Sequence, residues 1–320
     1  METIDSLCTR WVVETGEVNN EMASKNPLVS VGIPTYNRPE SLRRTLESIT
    51  GQTYKNLEII VSDNCSPAPE TEAVVREFIA KDKRIQYYRQ EENEGIAFNW
   101  HFVLKKATGE YFMWVADDDY WNCDSVSILL REFEKSPESS VVMSACERVD
   151  EKNESYDKIY NFNSQLKINT ASPFRLALDS AINHYWTYLI CGLYRTKFLK
   201  NSIKNLPEVF GADVLFVCEV LMATKILYID KILYFRQVHQ KNTSLQYANE
   251  KVGKLYSDPL KYYKMIFALG PYLFRSKIIP WYNKLWIPCI VVYSTFFVLN
   301  SDTKKIVGHL LGFIAKQYSS

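Results

Sequence analysis

From Leu28 to Cys146, short apolar runs alternate with amphipathic stretches, and this alternation limits what the 320-residue chain can fold into more than any other feature. The run 28–34 has the length and β-branched content of a buried strand. A helix follows, with Asn37 placed to cap it, Pro39 in its first turn, Leu42, Leu46 and Ile49 on one face, and Gly51 at its end. The same reading puts strands at 57–62, 84–88, 111–116 and 140–146, and helices at 70–81, 95–107 and 124–135, the last capped by Asp124. Strands and helices in this order predict a mostly parallel sheet with helices on both faces.

In such sheets ligands bind beyond the carboxyl ends of the strands. Three strand ends therefore stand out: Pro34-Thr35-Tyr36, Asp63-Asn64 and Asp117-Asp118-Asp119. Three adjacent carboxylates repel one another unless a cation sits among them. Hard cations such as Mg²⁺ or Mn²⁺ take carboxylate oxygens and keep positions open for phosphate. The bland alternative is a solvated loop with a helix cap. Asp63 has two readings, a ligand for a base or ribose and an Asx-turn. Neither GxGxxG nor GxxxxGK[ST] occurs, so a nucleotide would be held by a metal at its diphosphate rather than by a glycine loop.

The second half reads less regularly. Residues 150–170 are expected as a polar loop, 172–183 and 211–224 as helices, 190–194 as a strand, and 225–238 as two strands around a turn at Asp230-Lys231. Seven scattered cysteines without a CxxC pair indicate neither a zinc knuckle nor a disulfide scaffold, and fit a reducing compartment. The N-terminal stretch has no apolar core of the signal-peptide kind, so the three glycosylation sequons at Asn64, Asn153 and Asn242 read as chance matches.

Motifs in the first 120 residues carry a resemblance. The stretch VSVGIPTYNRPESLRRTLESITGQTYKNLEIIVSDNCS resembles the opening of family 2 glycosyltransferases, and NEGIAFNWHFVLKKATGEYFMWVADDD resembles their next block. The resemblance covers about residues 27–245. It implies an α/β GT-A nucleotide-diphospho-sugar transferase fold and an inverting transfer from a nucleotide diphosphate sugar, most simply a UDP-sugar. By position, Pro34, Tyr36 and Asn37 would shape the nucleoside site, Asp63 would bind base or ribose, and Asn93 and Gly95 would lie near the donor. Asp117 and Asp119 would form the Asp-x-Asp pair, with Asp119 the direct ligand of Mn²⁺ or Mg²⁺ and Asp118 beside the donor sugar. Ala116 stands where many members carry a further acid. Asp213, in FGADVLFVCEVL, would be the general base, with Ala212 in place of the usual Glu and Glu219 as a weaker substitute. The bland reading of Asp213 is a favourable charge at a helix N-terminus. In YFRQVHQKNTS, His239 would be a metal or diphosphate ligand and Arg236 a phosphate partner; Trp186 or Tyr185 would stack on the acceptor, or belong to the core.

Charge adds a clue to location. Residues 251–320 hold ten Lys or Arg against two Asp, a net +8, while the remaining 250 residues hold 28 basic against 35 acidic groups, a net −7. The expected domains are a polar leader at 1–26, a catalytic body at 27–246 and a basic, apolar helical region at 247–320. The longest uncharged run in that last region, 285–299, is 15 residues and contains Pro288, short of the about 20 needed to span a bilayer. Helices lying on the inner face of the plasma membrane fit the composition; packing on the body, or an oligomer interface, is the other reading. A nucleic-acid partner does not fit, because the body is acidic. A membrane location would suit a lipid-linked saccharide acceptor in bacterial capsule or O-antigen assembly. The alternative function is a nucleotide-sugar or glycan-binding module that kept the fold without the chemistry.

Overall fold

The computed structural model describes residues 26–150, 155–160, 171–183, 185–238 and 257–295. The leader expected at 1–26 lies almost wholly outside them, as do His239 and the end of the basic tail. The described residues fall into two compact units. Residues within 1–171, 188–201 and 224–254 form the first, and those within 172–187, 202–223 and 255–320 the second. The units interleave along the chain, where composition predicts a single boundary at 246.

The first unit is built on one sheet. Its N-terminal half comprises β1 (Val29–Thr35), β2 (Leu57–Asp63), β3 (Ile85–Arg89) and β4 (Tyr111–Trp114), in the order β3-β2-β1-β4 and all parallel. All seven residues of β1 are buried, as are all seven of β2, the pattern of strands covered on both faces. Helices α1 (Pro39–Thr50) and α2 (Pro69–Lys81) bury their apolar stripes in one cluster with Val29, Val31 and Ile33. Helix α3 (Ile96–Lys106) covers the opposite face, where a Cβ on Gly32 would stand 2.7 Å from both the Phe112 ring and Val103. A side chain at Gly32 would push this helix off the sheet.

The sheet continues through β5 (Tyr120–Trp121), α4 (Ser125–Lys135), β6 (Val141–Val149), β7 (Ser155–Tyr160), β8 (Leu193–Arg195) and β9 (Ile226–Gln237), with α6 (Thr196–Ser202) following β8. Here the expected parallel arrangement gives way to a mixed one. β8 lies antiparallel to both β4 and β6, β5 is antiparallel to β9 and β7 to β6, and only β6 and β9 run parallel. Two local expectations are corrected. The turn at Asp230-Lys231 is a bulge inside the single strand β9: Ile229 pairs with Ser144 and Ile232 with Ala145, so both flanks run the same way along β6, which a hairpin cannot do. The loop expected over 150–170 contains β7, a polar edge strand held by the ladder of β6 rather than by an apolar pattern of its own.

Caps differ as well. Asn37 adopts a left-handed φ of 56° and Arg38 takes the cap position of α1. Asp124 does sit at the N-cap of α4 but makes no capping bond; its carboxylate accepts the Thr53 hydroxyl at 2.8 Å.

The second unit is helical: α5 (Pro173–Asn183), α7 (Ala212–Ala223), α8 (Lys261–Arg275), α9 (Trp281–Lys284) and a helical stretch at 287–295. α7 is buried along Val214–Met222 and packs on α5 and α8. Glu219, expected as a substitute base, is 1% exposed and accepts the Tyr272 hydroxyl of α8. Burial pushes its carboxyl up to about 7 against the opposing pull of Ser276 and Tyr272, so it is a core carboxyl rather than a solvent-facing base. Among the described residues no helix is long and apolar enough to cross a membrane.

Candidate active site

The register of the parallel strands brings the three strand ends together. Thr35 pairs with Asp63, and Gly32 pairs with Trp114, so the chain leaving β4 carries Asp117 alongside the end of β1. The Thr35 hydroxyl donates to Asp117 Oδ2 at 2.8 Å and the Tyr36 N–H to the same oxygen at 3.3 Å. Arg38, at the head of α1, reaches back: its Nη1 lies 3.0 Å from Asp117 Oδ1 and 2.6 Å from Asp118 Oδ2.

Asp119 turns to different partners. Tyr234 of β9 donates its hydroxyl to Oδ2, and the Gln237 N–H donates to Oδ1 at 3.0 Å. The Asp119 carbonyl accepts the Thr45 hydroxyl of α1 at 2.7 Å. Asp117 and Asp119 are 6% and 4% exposed. Burial pushes Asp117 up to about 6; Arg38 opposes the shift and Asp118 adds to it. Burial, with Asp118 again, pushes Asp119 up to about 7. The run therefore holds negative charge under strain, which a cation would relieve.

Among the described residues no three His, Cys, Asp or Glu side chains form a ready-made metal cage. A Mg²⁺-like ion does not need one, since it is bound by one or two carboxylates together with substrate phosphates and water. Each Asp119 oxygen accepts one protein donor and keeps a further lone pair for a metal. The donor set, all hard oxygen and in excess of the local positive charge, fits such an ion.

On the other side of β1, Asp63 is fully buried. Its Oδ1 accepts the Ser66 N–H at 2.9 Å and the Ser66 hydroxyl at 2.5 Å, and its Oδ2 accepts the Tyr87 hydroxyl at 2.9 Å. The Asx-type turn is thus formed, and Ser66 also accepts the Asn37 N–H at 2.7 Å, tying the turn after β1 to the turn after β2. Asn64 clamps the next loop: its amide donates to Asn93 Oδ1 at 2.8 Å and its Oδ1 accepts the Glu94 N–H at 3.0 Å. Gly95, at φ 93°, closes that loop in a conformation other side chains rarely adopt. Asn99 of α3 donates to the Thr35 and Ser62 carbonyls, fixing the helix over both strand ends.

Pro34, Tyr36, Asn37, Asp63, Asn93, Gly95 and the three aspartates thus all belong to one end of the sheet in the first unit. Arg236 lies on β9 with its guanidinium 4.9 Å from the Tyr188 ring centroid. Asp213 is exposed in the first turn of α7, in the second unit. Tyr185 and Trp186 lie in a 3₁₀ helix, Tyr185–Cys191, and their side chains fall outside the described residues, as does all of His239. Sequence reasoning missed Arg38, Ser66, Tyr87, Tyr234 and Gln237. Arg38 sits inside the PTYNRPES turn, but nothing local shows that its charge returns to acids about 80 residues away.

Parallel strands ending in an acid run, continued by a mixed half-sheet, define a GT-A glycosyltransferase fold, and solved structures agree. TarS of S. aureus, in a complex with UDP-GlcNAc, matches with a TM-score of 0.60 at 19% identity over 82% of this chain and 70% of that one. A mannosyltransferase of Pyrobaculum calidifontis, in complex with GDP-Man and Mn²⁺, matches with a TM-score of 0.53 at 15% identity over 96% of this chain and 86% of that one. The model of glycosyl transferase family 2 matches residues 30–195, and the chain belongs to that family.

Curated relatives include an uncharacterized glycosyltransferase of Rickettsia felis, 31% identical over 52% of this chain and 27% of the relative. A putative colanic acid biosynthesis glycosyl transferase of Escherichia coli is 33% identical over 33% of this chain and 37% of its own length. A Campylobacter jejuni enzyme named as a GalNAc(5)-diNAcBac-PP-undecaprenol beta-1,3-glucosyltransferase is 36% identical over 33% of this chain and 34% of its own. The matched region spans well under half the length of each of these relatives.

Proposed function

We propose that this protein is an inverting glycosyltransferase that moves a sugar from a nucleotide diphosphate donor, a UDP-sugar, to a hydroxyl of a lipid-linked saccharide in bacterial surface-glycan assembly. The observation that carries the reading is the buried acid run Asp117–Asp119 beside the ends of β1 and β2, with excess negative charge and hard-oxygen donors. The UDP-GlcNAc and GDP-Man complexes of the structural neighbours support a nucleotide sugar donor, and the undecaprenol-linked acceptor in the Campylobacter name supports a lipid-linked one.

In this reading Asp63 and the turn that Ser66 and Asn37 hold orient the nucleoside, and Pro34 and Tyr36 line its other side. Asn93 and Gly95 border the donor, and Asp118 meets the donor sugar. A divalent cation held by Asp119 and Asp117 would supply Lewis-acid stabilisation of the departing diphosphate. Asp213 accepts the acceptor hydroxyl's proton as the oxygen forms a bond to the anomeric carbon and the bond to the diphosphate oxygen breaks. A single displacement of this kind inverts the anomeric configuration. His239 and Arg236 meet the diphosphate, and Trp186 or Tyr185 the acceptor.

The test is nucleoside diphosphate release from UDP-, GDP- and dTDP-sugars, with Mn²⁺, Mg²⁺ or EDTA, with and without a lipid-linked saccharide extract. Metal-dependent release from one donor, raised by the extract, is expected. Absence of release together with absence of nucleotide binding would leave a module that kept the fold alone. Asp213→Asn is expected to keep donor binding and lower transfer by about 10²-fold or more; full turnover in that variant removes Asp213 from the base role.

The same reading places the second unit on the cytoplasmic face of the membrane as a peripheral contact. Along α8, Leu260, Phe267, Pro271 and Phe274 are exposed at helical spacing while Met265, Ile266, Leu269 and Leu273 are buried opposite them. Beyond it Phe267 is matched by Trp281, at 74% and 75% exposed, and Tyr282, Leu285, Trp286 and Tyr293 follow. No acid occurs between Asp258 and Asp302, whereas Lys261, Lys264, Arg275, Lys277 and Lys284 do. Aromatic and basic residues together suit an anionic lipid surface. In flotation assays the full chain is expected to rise with phosphatidylglycerol vesicles and not with neutral phosphatidylcholine, and to release as salt increases. Replacing Phe267 and Trp281 by Ser should weaken partitioning at least about tenfold. Failure to float, with the chain eluting as an oligomer, would assign the face to a second copy.

A further inference from the structure

We propose that Arg38 is a resident cation of the acid run, displaced from Asp117 and Asp118 when a divalent metal binds and then taken up by the diphosphate of the donor. The proposal rests on the reading of Asp117–Asp119 as the metal-binding run.

One guanidinium nitrogen serves two carboxylates: Arg38 Nη1 is 3.0 Å from Asp117 Oδ1 and 2.6 Å from Asp118 Oδ2. A guanidinium is charged at every pH of interest, so this contact supplies the run with a permanent positive charge. The pair is not an exposed one of negligible weight, since the Arg38, Asp117 and Asp118 side chains are 17%, 9% and 16% exposed. A divalent ion held by Asp119 and Asp117 would come within a few ångströms of the guanidinium on Asp117, and like charges at that range repel strongly in a partly buried site. The metal and Arg38 therefore compete for the Asp117 carboxylate.

Arg38 has both the means and a reason to move. Its backbone is anchored between the end of β1 and Pro39 at the start of α1, while its side chain retains some exposure to water. The planar fork of a guanidinium matches phosphate oxygens bidentately, and the diphosphate that arrives with the metal brings new anionic oxygens to the same strand ends. The diphosphate thus offers the displaced charge anionic oxygens when donor and metal are both present. The consequence is a positive coupling: metal alone binds weakly because it must evict Arg38, and nucleotide strengthens metal binding because it receives Arg38. Couplings of this kind are reciprocal between the two ligands.

The experiment is a calorimetric cycle on the full chain: Mn²⁺ alone, then UDP, GDP and dTDP in saturating Mn²⁺, for the wild type, Arg38→Ala and Arg38→Lys. For Arg38→Ala, Mn²⁺ alone is expected to bind about tenfold tighter and the preferred nucleotide in Mn²⁺ about tenfold weaker, so that the coupling collapses. Arg38→Lys, which keeps the charge without the fork, is expected to fall between, and it carries the test if the alanine variant fails to fold. Mn²⁺ affinity that is unchanged or weaker in both variants overturns the proposal, because Arg38 would then order the acids rather than compete for them. Wild-type protein that binds neither Mn²⁺ nor any of the three nucleotides overturns the metal-site reading itself, and the Arg38 proposal with it.

Discussion

Asp119→Ala is expected to abolish the metal-dependent part of nucleotide binding, lowering affinity in Mn²⁺ by about 10²-fold and transfer by about 10³-fold. The size follows from where the carboxylate sits. It is 4% exposed, fixed by Tyr234 on one oxygen and by the Gln237 N–H on the other, and pushed up to about 7 by burial and by Asp118. A ligand held from two sides is pre-organised for a cation, and Asp117 cannot swing in to replace it because the Thr35 hydroxyl and the Tyr36 N–H hold its own carboxylate. Alanine also leaves the Tyr234 hydroxyl and the Gln237 N–H without their acceptor, a stability cost of about 1–3 kcal/mol. Asp119→Asn keeps an acceptor oxygen and nearly the same volume, so it separates the loss of the ligand from the loss of packing. Titration of UDP in Mn²⁺ and in EDTA decides the matter: wild-type affinity should drop to the EDTA value in both variants. A variant that still responds to Mn²⁺ would move the metal to other residues.

The largest effect on stability is expected at Glu58, a buried carboxylate far from any proposed substrate contact. Its carboxylate accepts the Ser30 hydroxyl of β1, the Thr108 N–H at 2.5 Å, the Thr108 hydroxyl at 2.9 Å and the Gly109 N–H at 2.9 Å. One side chain thus joins β1, β2 and the turn that feeds β4, the three strands whose opposite ends carry the site. Glu58→Ala removes four hydrogen bonds to a charged acceptor, leaving the Gly109 N–H with the Ser30 oxygen alone, and is expected to cost about 3–5 kcal/mol, a large share of the roughly 5–15 kcal/mol that holds a domain together. The pH dependence has a definite sign. Burial pushes the Glu58 carboxyl up, but the donors outweigh it and its value in the fold is lowered. A lowered value means that this carboxylate's stabilisation is fully present above the unfolded value of about 4.3, and is lost as pH falls through the folded one. Glu58→Gln lacks this contribution. The melting-temperature gap between the wild type and Glu58→Gln should therefore be widest near neutral pH and narrow on acidification; a gap that is constant with pH would deny the carboxylate its role.

Residue type and spacing alone make much of this fold legible. The five strands from β1 to β6, apart from the two-residue β5, are visible in the sequence because each apolar run has strand length and sits between turn residues. The acid run is visible because three carboxylates at the end of a buried strand demand a counter-charge. Expectations fail where a polar segment is recruited by its neighbours. β7 has no apolar alternation and exists because β6 offers it a ladder, and Asp230-Lys231 resembles a turn because a bulge and a turn use the same polar residues. Glu219 resembles a substitute base because an acid on a helix near a proposed base is indistinguishable in sequence from one buried against Tyr272.

The sequence by itself determined the α/β class, the three strand ends that line one edge of the sheet and the family to which the chain belongs, since these follow from local periodicity and from motifs a few residues long. Only the tertiary structure decided how the charges are shared. Arg38 meets Asp117 and Asp118 from 79 and 80 positions away, and Tyr234 and Gln237 hold Asp119 from 115 and 118. Such pairings depend on strand register and on which side chains burial leaves in need of a partner, and neither quantity exists until distant segments pack together.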